Sequence, residues 1–449
     1  MRRRALLKAL LAAAVVGLGG GAAPPADTAS LPRVRGPKWL SGPSLPRVLD
    51  QAVPAVLLLD PAALQSLRDA SLATPSDGRA TAAGGEAPHR SPDPALAALG
   101  RAADRALAAG PFSVMDKTAT PPSGDPHDYY SVGPYWWPNP DTPDGLPYVQ
   151  RDGEVNPQSR DNTYDFAALD QLTKSVGTLG VAYYLTDDPR YADHAALLIR
   201  TWFLDPATRM NPHMRYSQTV PGRPGERGTG IIDARQFIAV TDAATLLGGA
   251  LAWSAADDAA LRAWFAAFLA WLQQSPAGQQ EARAPNNHGS WYAAQVAAYA
   301  LFTGQDSVAR PTTAERGPAL IASQIEPDGR QPRELARTRP FHYSAFNLEA
   351  LTALALLGAR AGVDLWGYET PDGRGIRAAL DYLVPFATGA APWPYPDLDF
   401  DGRALAPLLA RAARAYPDAG YAALIPQAFP DATPLQQLYL RLGVWWTRG

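Results

Sequence analysis

The chain has 449 residues, 47% of them hydrophobic and 18% charged, and a formal net charge of −3. That length supports a large core, and this balance excludes a disordered polyelectrolyte and leaves no basic excess for wholesale nucleic-acid binding. Cysteine is absent, which excludes disulfides, thiolate metal sites, a Cys nucleophile and a lipoprotein lipid anchor.

In chain order, Met1-Arg2-Arg3-Arg4 and Lys8 precede an apolar run to Leu18 and small residues from Gly19 to Ala23. This reads as a signal peptide over 1–23, of twin-arginine or ordinary secretory type, with a retained anchor as the alternative. Its removal takes Arg2, Arg3, Arg4 and Lys8 with it, so the net charge of −3 becomes −7. Residues 24–46 read as a leader or wrapping arm. The remainder, 47–449, is expected to be one catalytic domain with a flexible insertion at about 72–93.

A helix is expected from near Ala62 and another over about 94–109. Residues 110–164 lack helical periodicity but hold Tyr129, Tyr130, Tyr135, Trp136, Trp137 and Tyr148. A stretch this long without regular structure is functional or disordered, and its aromatic density selects function. Apolar residues then recur at helical spacing over 165–186, 190–203, 232–252, 257–274, 288–303, 313–325, 343–361 and 375–388, with further helices near 404–415 and 433–446. Alternating strand patterns are scarce. The fold class is therefore all-α, with helical hairpins in a ring or solenoid, although a plain bundle gives the same periodicity.

Three segments carry residue types suited to chemistry. His127 to Pro140 (HDYYSVGPYWWPNP) offers aromatic faces for sugar rings, or else a Pro-locked loop over the core. Asn286-Asn287-His288-Gly289-Ser290-Trp291 opens a helix, with Asn287 as its expected N-cap. His288 in the first turn meets the positive helix end, which disfavours its charged form; a neutral imidazole can act as base or donor. The alternative is a capping Asn and a structural His. Arg330 to Asn347 gathers Arg330, Arg333, Arg337, Arg339, His342 and Tyr343. An arginine beside a phenol lowers its pKa, so Arg337 would activate Tyr343; a solvated basic loop is the bland alternative. A Gly-rich loop at 209–235 adds Arg209, His213, Arg215, Arg223, Arg227 and Arg235. No GxSxG, P-loop, GxGxxG or HExxH motif occurs, and the six histidines show no metal-ligand spacing, so no metal or cofactor is expected.

Together these segments resemble the alginate lyase superfamily of exported, all-helical polysaccharide lyases. The aromatic loop is more similar to the branch with glucuronan and mannuronan lyases. The better-known branch has a Tyr-x-x-Tyr pattern; here Tyr343-Ser344-Ala345-Phe346 lacks the second tyrosine. The resemblance implies an (α/α) toroid or incomplete barrel of about six or seven helical hairpins. It implies β-elimination on an anionic uronan, outside the cytoplasm in the periplasm or medium, with no nucleic-acid or membrane partner after signal cleavage. It assigns Tyr343, His288, Asn287 and Arg337 to catalysis. It assigns His127, Tyr129, Tyr130, Tyr135, Trp136, Trp137, His213, Arg215, Arg235, Trp291, Arg333, Arg339 and His342 to substrate binding. Two alternatives stand beside it. One is a hydrolase of similar fold using carboxylates such as Asp161, Asp165, Asp233 and Glu334. The other is a non-catalytic uronan-binding protein.

Overall fold

The computed structural model describes residues 53–72 and 93–444. The expected signal peptide, the arm at 24–46 and nearly all of the 72–93 insertion lie outside the described residues. The helices are α1 (Pro61–Leu72), α2 (Pro94–Ala106), α3 (Phe166–Thr186), α4 (Pro189–Ile199), α5 (Phe237–Leu246), α6 (Ala255–Gln274), α7 (Pro276–Ala282) and α8 (Asn287–Phe302). They continue with α9 (Asp306–Pro311), α10 (Gly317–Gln324), α11 (Pro332–Leu335), α12 (Pro340–Arg360), α13 (Ile376–Ala387), α14 (Ala406–Ala415), α15 (Tyr421–Ala428) and α16 (Pro434–Leu442).

The order of packing defines the architecture. Helix α3 packs on α5, α5 on α8, α8 on α12, α12 on α14 and α14 on α16, and α16 returns through α2 to α3. This path closes on itself, so the helices form a ring. Helices α4, α6, α10, α13 and α15 back it from outside the path, against α3, α8, α12, α12 and α14 respectively. Sequence explains which helices line the ring. Helices α3, α8 and α12 bury residues on nearly every face, as a helix apolar all round must. Their small residues permit close approach: a Cβ on Gly180 of α3 would lie 3.0 Å from the Ala243 backbone of α5. Starts are marked by proline at the first turn of α2, α4, α7 and α12, and by a Ser254–Asp257 capping box on α6.

Some elements depart from the sequence pattern. The helix expected over 190–203 ends at Ile199 and continues as a wider π turn, Arg200–Leu204. The first part of 232–252 belongs to a 3-10 segment, Gly228–Gln236, and regular α-helix begins only at Phe237. A Cβ on Gly230 would come 2.2 Å from the Ser217 carbonyl. The stretch 313–325 is divided between a π turn, Thr312–Arg316, and α10. Helices α7, α11 and α15 are short and have no long apolar period to announce them.

The ring is clasped where its ends meet. The Asp60 N–H donates to the Leu442 carbonyl at 2.9 Å, and Arg414 pairs with Asp60 at 2.7 Å. The fully buried carboxylate of Asp242 on α5 accepts the N–H groups of Leu57, Leu58 and Leu59. Burial raises Asp242 to about 6, against the pull of those three donors.

Residues 110–164 form the expected aromatic loop. Its short strands are β1 (Tyr130–Val132), β2 (Trp136–Trp137) and β3 (Val149–Gln150); β1 runs parallel to β4 (Tyr216–Thr219), and β2 pairs antiparallel with β3. A buried ion pair between Lys117 and Asp165, 3.2 Å apart, ties the loop to the start of α3. Burial raises Asp165 to about 7, although Lys117 and the Tyr130 N–H oppose the shift.

Candidate active site

The first turns of α8 and α12 lie side by side at one end of the ring, with Trp291 and Phe346 in contact at 5.4 Å one turn further in. His288 and Tyr343 thereby start from the same end, and each key side chain is held by a partner. Asn287 is not the N-cap; Asn286 occupies that position without a side-chain cap bond. The cap comes instead from Glu334 on α11, whose carboxylate accepts the Asn287 N–H and its side-chain amide, both at 2.7 Å. Burial raises Glu334, against those two donors. His288 Nδ1 lies 2.6 Å from the buried Glu281 carboxylate on α7. That contact assigns the Nδ1 proton to the Glu281 side and leaves Nε2 open.

Tyr343 stands opposite. Its hydroxyl donates to that of Tyr135 at 2.7 Å, and the Arg337 guanidinium lies 3.7 Å from its ring centroid. Arg337 is itself clamped by Asp152, at 2.5 and 3.1 Å, and Thr338 bonds the same carboxylate. Burial tends to raise Asp152, but Arg337 and Thr338 hold it below the usual carboxylate range. The sequence-based expectation for Tyr343 is corrected here. Arg337 does pull its pKa down, but burial and the neighbouring Tyr135 outweigh it, and the net shift is upward. The resting group is a phenol.

The other expected binding residues separate into groups. Tyr129 is fully buried, its hydroxyl on Asp233 at 3.1 Å, so it is a core residue and offers no face to a sugar. Tyr130 packs edge-on against Tyr164. Trp136 packs beside Val132, Tyr148, Tyr164 and Val220, and Trp137 donates to the Glu154 carbonyl. His127 bonds the Arg209 carbonyl; His213 pairs with Asp128 at 3.0 Å, and burial lowers its pKa despite that partner. Arg215 is paired with Glu226 and Arg339 with Asp399. Arg235 lies over the rings of Trp291 and Phe346, and His342 stacks on Phe346. Trp291 is 5% exposed, so it belongs to the floor beneath Arg235 and not to an open platform. Under that floor a cavity of about 160 Å³ extends to Asp242, Glu349 and Arg411. Arg333 is exposed and lines an open groove of about 630 Å³ with Pro285, Asn286 and Gln324.

The carboxylates considered for hydrolysis are engaged. Asp165 holds Lys117, Asp233 holds Tyr129, Ser131 and Gln218, Glu334 holds Asn287, and Asp161 caps the Thr163 N–H. Sequence reasoning missed Glu281 and Asp152. Glu281 precedes His288 by seven residues across a helix break, a spacing with no helical meaning, and Asp152 sits in an ordinary Arg-Asp-Gly turn.

A closed helical ring with a tyrosine, a histidine and an asparagine at one end defines the class: an (α/α)-toroid polysaccharide lyase. The sequence matches the alginate lyase family model over residues 113–393, and the chain belongs to that family. It is similar to an alginate lyase from Bacteroides ovatus, with 38% identity and a TM-score of 0.79 over 87% of this chain and all of that one. Alginate lyase A1-III from Sphingomonas species A1 shares the fold at 18% identity, with a TM-score of 0.50 over 87% of this chain and 98% of its own. A tyrosine-to-phenylalanine variant of A1-III complexed with tetrasaccharide matches at 16% identity and a TM-score of 0.50, over 82% of this chain and 92% of its own. No curated protein sequence matches the chain. No helix among the described residues is long and apolar enough to cross a membrane.

Proposed function

We propose that this lyase cleaves a (1→4)-linked β-uronan, mannuronan or glucuronan, by β-elimination, and that it does so after export. The observation that carries the reading is the Tyr343 hydroxyl, sheltered by Arg337 and Tyr135 at the same end of the ring as Asn287 and His288. The C5 proton of a uronate is weakly acidic while the neighbouring carboxylate keeps its full charge. Asn287 and His288 meet that carboxylate and stabilise the charge that develops as the C5–H bond breaks. The electron pair forms the C4=C5 double bond, the C4–O4 bond breaks, and Tyr343 delivers a proton to O4.

In β-mannuronate and β-glucuronate the C5 proton and O4 lie on the same side of the ring, so one phenolic oxygen reaches both. Tyr343 then takes the C5 proton as phenolate and returns it to O4 as phenol. Its raised pKa makes the phenolate scarce at neutral pH, and rate is expected to climb into the alkaline range. For residues of opposite geometry, the open His288 Nε2 is the base.

The deciding experiment is ultraviolet absorbance of the conjugated C4=C5 product during incubation with polymannuronate, glucuronan and polyguluronate. A rise on the first or second establishes the substrate. New reducing ends without absorbance would replace the lyase reading by hydrolysis.

A further inference from the structure

The arginines near the cleft differ in what neutralises them. Arg337, Arg339 and Arg215 each meet a carboxylate, as does Arg330 with Asp328. Arg223 and Arg227 meet none among the described residues. Both instead lie against one ring, with guanidinium carbons 4.8 and 5.2 Å from the Trp136 centroid. They are therefore within the sum of those distances of each other. Burial lowers the Arg227 pKa, and the charge of Arg223 lowers it further. Two like charges against one aromatic ring repel, and an anion bound by both relieves that repulsion.

The loop that carries them is fixed. Gly222, at φ +79°, lies so close to Pro147 that a Cβ would come 2.7 Å from its Cα. The Tyr148 N–H donates to the Pro221 carbonyl, and the Gly228 N–H to Gln280, the residue before the Glu281 that holds His288. Glu226 is drawn away to Arg215. The loop thus spans from the aromatic hairpin to the His288 side, and Trp136 directly follows Tyr135.

We propose that Arg223 and Arg227, set by Trp136, bind the carboxylate of a uronate outside the one undergoing elimination. The inference rests on the uronan reading. It re-reads Trp136 as a support for guanidiniums and not as a sugar platform.

The test uses the full chain with Arg223→Gln/Arg227→Gln, and with Arg223→Gln alone, since that exposed side chain leaves the fold unburdened. Binding is read by mobility in native gels containing polymannuronate, and turnover by absorbance on polymannuronate and a trisaccharide. The expected result is a rise of about tenfold or more in KM for the polymer at about 0.02 M salt, shrinking at about 0.5 M as charges are screened. Retardation in the gel falls in parallel, and the advantage of polymer over trisaccharide diminishes. The single variant shows part of each change. Unchanged KM and mobility at low salt would overturn the site. If the wild type is retarded but never cleaves and the double variant is not retarded, the cleavage reading fails and the site stands. If the wild type is neither retarded nor active on any uronan, both fail.

Discussion

At the scale of single residues, the proposed chemistry is divided between groups that would touch substrate and groups that aim them. Tyr343→Phe keeps the ring under Arg337 and removes the hydroxyl, and with it the proton and the bond to Tyr135. Turnover is expected to fall by ~10³ or more with little change in binding, read as absorbance on the best uronan; activity within tenfold of wild type would remove Tyr343 from the acid role. Glu281→Gln tests aiming. An amide at 2.6 Å from Nδ1 frees the imidazole to take the other tautomer, and kcat should fall by ~10² or more while KM moves little. If KM alone changed, Glu281 would be a packing residue. Much of this layer was readable in the chain: Asn287, His288, Arg337 and Tyr343 stand out by type and local spacing. Their partners were not, because Glu281, Glu334, Asp152 and Tyr135 arrive from other elements. The sequence lacks a tyrosine at 346, yet Tyr135 brings a second phenol to Tyr343 from 208 residues away. Tyr129 misled for the converse reason. An aromatic stretch in a loop does not say which of its rings face inward, and this one faces Asp233.

At the scale of elements, two tight corners set the site. A Cβ on Gly278 would stand 1.8 Å from the Leu272 carbonyl, so α7 folds back on the end of α6 only with glycine there. Gly278→Ala is expected to cost ~1–3 kcal/mol and to displace Glu281 with α7. Denaturant melts and turnover on the same sample check both; the expected loss of stability with intact kcat would separate the corner from catalysis. The second corner is the Lys117–Asp165 pair under the aromatic loop. Lys117→Met strands a buried carboxylate and should destabilise by ~3–5 kcal/mol, measured by denaturant unfolding. Long helices such as α3, α6 and α12 were legible because their apolar period runs for several turns. Helices α7 and α11 were not: α7 is set by the Gly278 corner, and α11 is a single turn with no period to read.

At the scale of the whole molecule, the ring is held shut by Asp242. Its folded-state pKa of about 6 exceeds the ordinary carboxylate value, because burial penalises the charge. The folded form therefore keeps a proton that the unfolded chain releases. The stability this gives is complete below the unfolded pKa and is lost as pH rises through 6. Relative to Asp242→Asn, which does not titrate, the advantage of wild type should shrink between pH 4 and 7 by an amount on the order of 3 kcal/mol. Melts at a series of pH values measure it, and a constant gap would show that Asp242 does not change its protonation in this range. Ring closure itself was not legible: helical periodicity is equally that of a bundle, and only the return of α16 through α2 to α3 decides between them.

The clasp between Asp60 and Leu442 also governs when the protein can finish folding. Its two halves are among the first and last parts of the described chain to be synthesised, so the seam cannot form on a growing chain. Contacts of such long sequence separation slow folding, since the entropy of closing the loop must be met before the seam offers any return. Closure of the seam is accordingly expected to be a late step, with the ends unsealed until α16 is made.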